Sequence, residues 1–425
     1  MISASRPLVL LSALLLVAAG CSSPSRVGWY AYDGGDYSGA IAAWSPIAAE
    51  GDADAQFLMG VMHDEGRGVD SDRFEAARWY ALASDQGHAA AQNNLGLLFY
   101  RGEGVAQDRD EAARLFRLSA DQGFAAARTN LGVMYLTGES VGRDPQRARE
   151  LISTAAEQGD ARAQRILGTM QRRGFAEGDD ATATQWFERA AESGDAEAQY
   201  TVGVLAYRGD GTSQDFGWAR TWFETAAEQG HPRAEFALGW MHHRGIGCEV
   251  DDAAAADWFR RAAEHGLESA QVSYGLLLVE GQGVDADPQE GAKWLQRAAR
   301  AGSPQAQYNL GMLYLKGRGV EQDDTRAARW FGEAAEQGLA EAQNRIASMY
   351  QFGQGVEQDE AQAFAWYCLA AIGGIEDAAK MRDGLVQRLG REQLERGKLR
   401  AEAWLHENGT ASRPSASGSV SRRDD

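Results

Sequence analysis

The sequence predicts an all-α solenoid (superhelix) of about nine 36-residue helix–turn–helix repeats, closed by terminal capping helices. Three observations predict it. Glycines at 60, 96, 132, 168, 203, 239, 275 and 311, with Ala347 in the ninth place, recur every 36 residues, except for one step of 35 between Gly168 and Gly203. Fifty glycines stand against eight prolines among 425 residues, and they lack a three-residue period. That abundance points to many regularly placed turns. Apolar residues on either side of each glycine loop recur at steps of about four, the period of one helix face.

The chain starts with a targeting pattern. Arg6 precedes an uncharged apolar stretch, Leu8 to Ala19. That stretch is shorter than the roughly 20 residues a membrane-spanning helix needs. It ends at Val17-Ala18-Ala19-Gly20-Cys21. Small residues before a cysteine resemble the lipobox of bacterial lipoproteins, although that family prefers Leu where Ala18 stands. The resemblance implies a signal peptide over 1–20, diacylation of Cys21 on sulfur and a third acyl chain on the new N-terminus. Several acyl chains anchor stably where one is marginal. Ser22 follows the cysteine instead of Asp, which by analogy with enterobacterial sorting implies the periplasmic face of the outer membrane. Cleavage by ordinary signal peptidase and secretion is the alternative. Residues 21–36 read as a lipidated linker, and 37–50 as a lone second-type helix with Trp44 and Gly51 in register.

One repeat, Ala89 to Gly123, explains the period. Ala91, Leu95, Gly96 and Phe99 mark a first helix, and Ala112, Phe116 and Ala120 a second. Gly96 and Ala112 keep the two close together. Between them, Gly102 and Gly104 permit the positive φ of a tight turn. Asp108 can cap the second helix, with Glu111 completing a capping box. The same aspartate recurs as Asp72, Asp144, Asp215, Asp251, Asp287, Asp323 and Asp359. An aromatic on the second helix, Trp79, Phe116, Trp186, Trp222, Trp258, Trp294, Trp330 or Trp366, is expected to be core. The fourth repeat departs most, with Gly174-Phe175-Ala176-Glu177-Gly178 in place of the usual loop.

The motif resembles the Sel-one-like repeat, a cousin of the tetratricopeptide repeat. Ala306, Leu310, Gly311, Tyr314, Gly317, Gly319, Val320, Asp323, Ala327, Trp330, Ala334, Ala335 and Gly338 carry it position by position. It covers residues 37–373, and the resemblance implies a right-handed solenoid. Past Gly374 the repeat stops. Ile375 to Leu389 and Arg391 to His406 read as capping helices within 374–408. Residues 409–425 read as a disordered Ser, Arg and Asp tail.

Composition argues against several functions. The net charge of -19 offers no basic surface to replace the counterions of a nucleic acid. Cys248 and Cys368 lie three repeats apart, too far for a disulfide, which needs Cα atoms within about 7 Å. His242 and His243 point about 100° apart on a helix, a poor arrangement for one metal. Cys248 nearby could pair with a histidine, yet neither oxyanion donors nor a third partner can be named. The glycine loops lack the strand and third glycine of a dinucleotide fold. Asp70, Ser71 and Asp72 lack calcium-loop spacing. No catalytic residue, metal site or cofactor is expected.

A partner-binding surface is expected instead. In the tetratricopeptide fold, first helices line the concave face, and register carries that over to a stripe of candidates. They are Tyr100, Arg101, Arg165, Arg172, Arg173, Tyr200, Tyr207, Arg208, Phe236, Trp240, Arg244, Tyr308 and Lys316, flanked by Phe57, Met312 and Phe352. Aromatics and Arg are enriched at interface hot spots, and Arg grips carboxylates in bidentate fashion. The leading expectation is an envelope scaffold for partner proteins through acidic or aromatic-rich segments. The alternative is an accessory subunit of exopolysaccharide secretion or modification that touches anionic glycan. The bland possibility is that these side chains pack between neighbouring helices.

Overall fold

The computed structural model describes residues 24–409. The expected signal peptide, the lipidation site at Cys21 and the tail past Gly409 lie outside the described residues. The described residues form twenty-two helices and no strand, in two compact units that divide between Trp222 and Phe223. The first unit holds α1 (Pro24–Asp33), α2 (Tyr37–Ala49), α3 (Ala53–Glu65), α4 (Arg73–Asp85), α5 (Ala89–Arg101), α6 (Arg109–Asp121), α7 (Ala125–Thr137), α8 (Pro145–Glu157), α9 (Ala161–Arg172), α10 (Asp180–Glu192) and α11 (Ala196–Arg208). The division falls inside α12 (Phe216–Glu228). The second unit continues with α13 (Pro232–Arg244), α14 (Asp252–Glu264), α15 (Glu268–Glu280), α16 (Pro288–Arg300), α17 (Pro304–Lys316), α18 (Asp324–Glu336), α19 (Ala340–Phe352), α20 (Glu360–Ile372), α21 (Glu376–Arg388) and α22 (Arg391–Gly409).

The capping aspartates act as expected. Asp108 Oδ1 accepts from the backbone N–H of Asp110 and of Glu111, and Asp323 Oδ1 from that of Arg326. The capping box at Glu111 does not form. Its carboxylate turns to Arg114, whose charged donors reach it at 2.6 and 2.8 Å. A reciprocal box forms in the fourth repeat, between Asp179 and Thr182.

The core seat differs from the expected one in most repeats. Tyr80, Phe187, Phe223, Phe259, Phe331 and Tyr367, each one residue past an expected tryptophan, are buried in register with Phe116. In five hairpins that ring lies on the mid-helix glycine of the first helix, whereas Ile152 and Leu295 take the place of the ring on Gly132 and Gly275. A Cβ on Gly96 would stand 2.8 Å from the Phe116 ring, and one on Gly239 2.7 Å from Phe259. Neighbours on a helix point about 100° apart, so only one of the two can face that glycine. Trp330 and Trp366 are still buried, but Trp79, Trp186, Trp222, Trp258 and Trp294 are half-buried at the rim. Arg189, Arg261 and Arg297 cover the rings of Trp186, Trp258 and Trp294 at 4.4 to 5.0 Å.

Two buried details join one repeat to the next. A glutamine on the first helix donates to a carbonyl eight residues earlier, on the preceding second helix. Gln56 reaches Ala48 O at 3.1 Å, and Gln307 reaches Ala299 O at 3.2 Å. The second loop glycine lies on the first turn of the preceding second helix. A Cβ on Gly319 would fall inside contact distance of the Pro288 carbonyl, and one on Gly104 inside that of Arg73. The third repeat has Ser140 in that place, the one non-glycine residue at positive φ (57°) among the described residues.

Both ends carry structure beyond the repeats. The segment expected to be a linker contains α1, which forms a hairpin with α2 around Trp44. Gly28 faces the Trp44 ring as Gly96 faces Phe116. The connection holds only Gly34, Gly35 and the N-cap Asp36, so the G-x-G loop that marks a repeat is missing. At the other end, α21 and α22 both pack on α20, and Arg396 and Arg400 of α22 hold Asp359 at 3.1 and 2.9 Å.

Candidate functional site

The expected stripe sorts into engaged and exposed side chains. Tyr100 donates to Glu139 Oε2 at 2.5 Å, and burial followed by that carboxylate pushes its phenol above the usual value. Arg101 is half-buried, 3.8 Å from Glu103. Arg165 Nε donates to both oxygens of Asp195, at 2.9 and 3.1 Å. Phe57 stacks on His88, Tyr207 packs on Phe216, Phe236 on Phe259 and Tyr308 on Phe331. Tyr200 and Met312 are half-buried. For most of the aromatics, packing between neighbouring helices describes their position.

The exposed members cluster at the C-terminal ends of first helices. In the first unit, Arg172 lies 3.8 Å from each of Asp180 and Asp210, while Arg173 and Arg208 are exposed and form no ion pair among the described residues. In the second unit, Trp240 is 40% exposed, with the Arg244 guanidinium 4.8 Å over its ring. Lys316 is exposed, and Phe352 is exposed at 66%.

Sequence reasoning missed a polar chain on the first helices of the first unit. Buried Arg162 donates to Asn130 Oδ1 at 2.7 Å, and Asn130 donates to Asn93 Oδ1 at 2.9 Å. Thr129 donates to Asp160, whose carboxylate also accepts from Ala163 N. Burial, and then neighbouring Arg165, pull the Arg162 guanidinium below its usual value. The available signal was Asn93, Thr129 and Asn130, polar residues within one turn before the mid-helix glycines, with Asn93 and Thr129 at the position where other repeats carry aromatics.

A second missed feature lies in the sixth repeat. Glu235 stands where other repeats have the bridging glutamine, and it is fully buried. It has no donor for Ala227 O, so Arg261 reaches that carbonyl at 3.1 Å and lies 3.2 Å from Glu235 Oε1. His265 Nδ1 lies 2.7 Å from Glu235 Oε2.

The histidine pair does not converge. His243 Nδ1 binds Asp252 Oδ1 at 2.9 Å, and His242 Nδ1 lies 3.8 Å from the Cys248 thiol. No group of three metal-ligating side chains occurs among the described residues. A cavity of about 100 Å³ beside Thr184, Glu188 and Trp218 is smaller than the few hundred Å³ of a small-molecule site. Asp72 caps α4, accepting from the backbone N–H of Phe74 and Glu75.

Comparison with known proteins fits this arrangement. The Sel1 repeat pattern matches nine consecutive segments, 53–88, 89–124, 125–160, 161–195, 196–231, 232–267, 268–303, 304–339 and 340–375. No curated protein matches. Among solved structures, a Sel1 repeat protein from Oxalobacter formigenes is 30% identical, covering 80% of this chain and all of its own, with a TM-score of 0.53. A protective antigen of uropathogenic Escherichia coli strains displaying an SLR fold is also 30% identical, covering 94% of this chain and 96% of its own, with a TM-score of 0.49.

Proposed function

The chain belongs to the Sel1 repeat family, whose solenoids are typically non-catalytic scaffolds for protein–protein interaction, and from that premise we propose that it is a lipid-anchored scaffold of a bacterial cell envelope. It holds partner proteins at the C-terminal ends of its first helices. The observation that carries this reading is the contrast along those helices. Their middles are engaged internally, while Arg173 and Arg208 of the first unit, and Trp240, Arg244 and Lys316 of the second, remain exposed. Unpaired Arg beside aromatics is the residue mix of interface hot spots, and it suits carboxylates of an acidic segment. Arg244 already lies on the Trp240 ring, where a sugar would stack, so a peptide fits this patch better than a glycan. Anchoring rests on the run ending at Cys21, and the periplasmic face of the outer membrane on Ser22.

In-cell photocrosslinking tests the reading. Photoreactive residues at Arg173, Arg208 and Trp240 should capture a few envelope proteins that one at exposed Leu118, on α6, does not. Equal capture from all of them, or capture of polysaccharide alone, overturns the peptide-scaffold reading.

A further inference from the structure

The N-terminal hairpin differs from the repeats it precedes. Helix α2 carries no charged residue, whereas α4, its counterpart in the next hairpin, carries Arg73, Glu75, Arg78 and Asp85. Residues 24–49 hold one Arg and two Asp, in a chain of net charge -19. On α1, Trp29 and Tyr32 turn inward to Trp44, with ring centroids 5.5 and 5.9 Å away. Val27 and Tyr30, one turn apart, point outward at 50% and 75% exposure. Packing among the described residues therefore leaves this face without a partner.

Its position in the chain names the occupant. Only residues 22 and 23 separate Cys21 from the start of α1 at Pro24. Three residue steps span at most about 11 Å when fully extended. A lipidated Cys21 would hold the first turn of α1 within that distance of the acyl chains, at headgroup depth. Charged side chains there would be desolvated, and acidic ones would be repelled by anionic lipid. A tyrosine and a valine beside an uncharged helix suit the boundary, because a tyrosine ring sits well with one end apolar and the other wet.

We infer that the exposed Val27–Tyr30 face of α1 rests on the phospholipid interface and sets the tilt of the N-terminal hairpin against the membrane. The inference depends on acylation of Cys21 proposed above. The acyl chains supply the attachment, and the protein face supplies the orientation.

The test uses the full chain, purified from cell membranes and placed in mixed phosphatidylethanolamine–phosphatidylglycerol vesicles. Benzoylphenylalanine replaces Tyr30 in one sample and Leu399 of α22, 64% exposed, in a control. Position 30 should crosslink phospholipid several-fold more than position 399. Adding Val27→Asp to the Tyr30 sample should lower that yield, with the protein still on the vesicles. Both positions are exposed, so folding is not at stake. Equal yields from vesicle-bound, acylated protein overturn the docking and leave the anchor standing. An N-terminal peptide without acyl mass, with protein in the supernatant, overturns the anchor and the docking with it.

Discussion

Two contacts in the second unit answer the same need with different chemistry. In the eighth repeat, Gln307 donates to Ala299 O and accepts from Gln337 at 2.8 Å. In the sixth, the corresponding pair is Glu235 and His265, and Arg261 supplies the donor to Ala227 O. Both satisfy a backbone carbonyl left over at a junction of repeats. The amide pair does so with neutral groups whose hydrogen-bonding capacity matches. The second contact, a trio of side chains, buries a carboxylate, which is tolerated only while the Arg261 guanidinium and the His265 hydrogen bond stay in place. Where glutamate replaces the glutamine, Arg261 and His265 at the second helix of the same repeat hold it.

The largest expected effect comes from breaking the trio. Arg261→Ala strands the buried carboxylate and leaves Ala227 O without its donor. Since the Arg261 side chain is 34% exposed, the expected loss is about 2–3 kcal/mol, below the range for fully buried pairs. Urea unfolding reads it, and an unchanged midpoint would mean that Glu235 is held by other groups. Breaking the neutral contact costs less. Gln307→Ala should lose about 1–2 kcal/mol, seen also as faster amide exchange at the start of α17.

Smaller changes sharpen the picture. Ser140→Gly should stabilise the first unit by about 0.5–1 kcal/mol, because it removes a side chain from a left-handed position that glycine occupies in other repeats. A lower melting temperature would count against that account. At the C-terminal cap, burial pushes the Asp359 carboxyl up, but the Gln362 N–H and then Arg400 and Arg396 outweigh it and hold it below its usual value. A depressed carboxyl stabilises above its unfolded pKa of about 4, and that contribution is lost as pH falls through the folded value. Arg400→Ala should flatten this acid loss in a pH series of unfolding midpoints, by under about 1 kcal/mol at neutral pH. The smallest net effect belongs to the double variant Glu235→Gln with His265→Gln. It should rebuild the amide contact within about 1 kcal/mol of the parent, and its midpoint should respond less to salt.

Much of this architecture was legible in the sequence because it repeats. Asp108 and its counterparts had to cap helices, since each follows a glycine loop and precedes a helical period. The core seat was misplaced by one residue in most repeats because a tryptophan attracts assignment on size. The adjacent Phe or Tyr wins because it alone faces the mid-helix glycine. Of the candidate surface, the arginines at helix ends were found by residue type. Their sorting was not legible: Arg165 meets Asp195, the N-cap of α11, 30 positions away, while Arg173 has no ion-pair partner among the described residues.

By itself, then, the sequence determined the fold class, the repeat length, the loop glycines and the caps, because each depends on residues a few positions apart. Tertiary structure decided which aromatic is core, which stripe residues stay exposed, and that Glu235 and Arg162 are buried polar centres. It also decided that residues 24–49 form a further hairpin without the loop that marks the others. These outcomes depend on side chains brought together across about 20 to 40 positions, and a local pattern carries no record of who meets whom at that range.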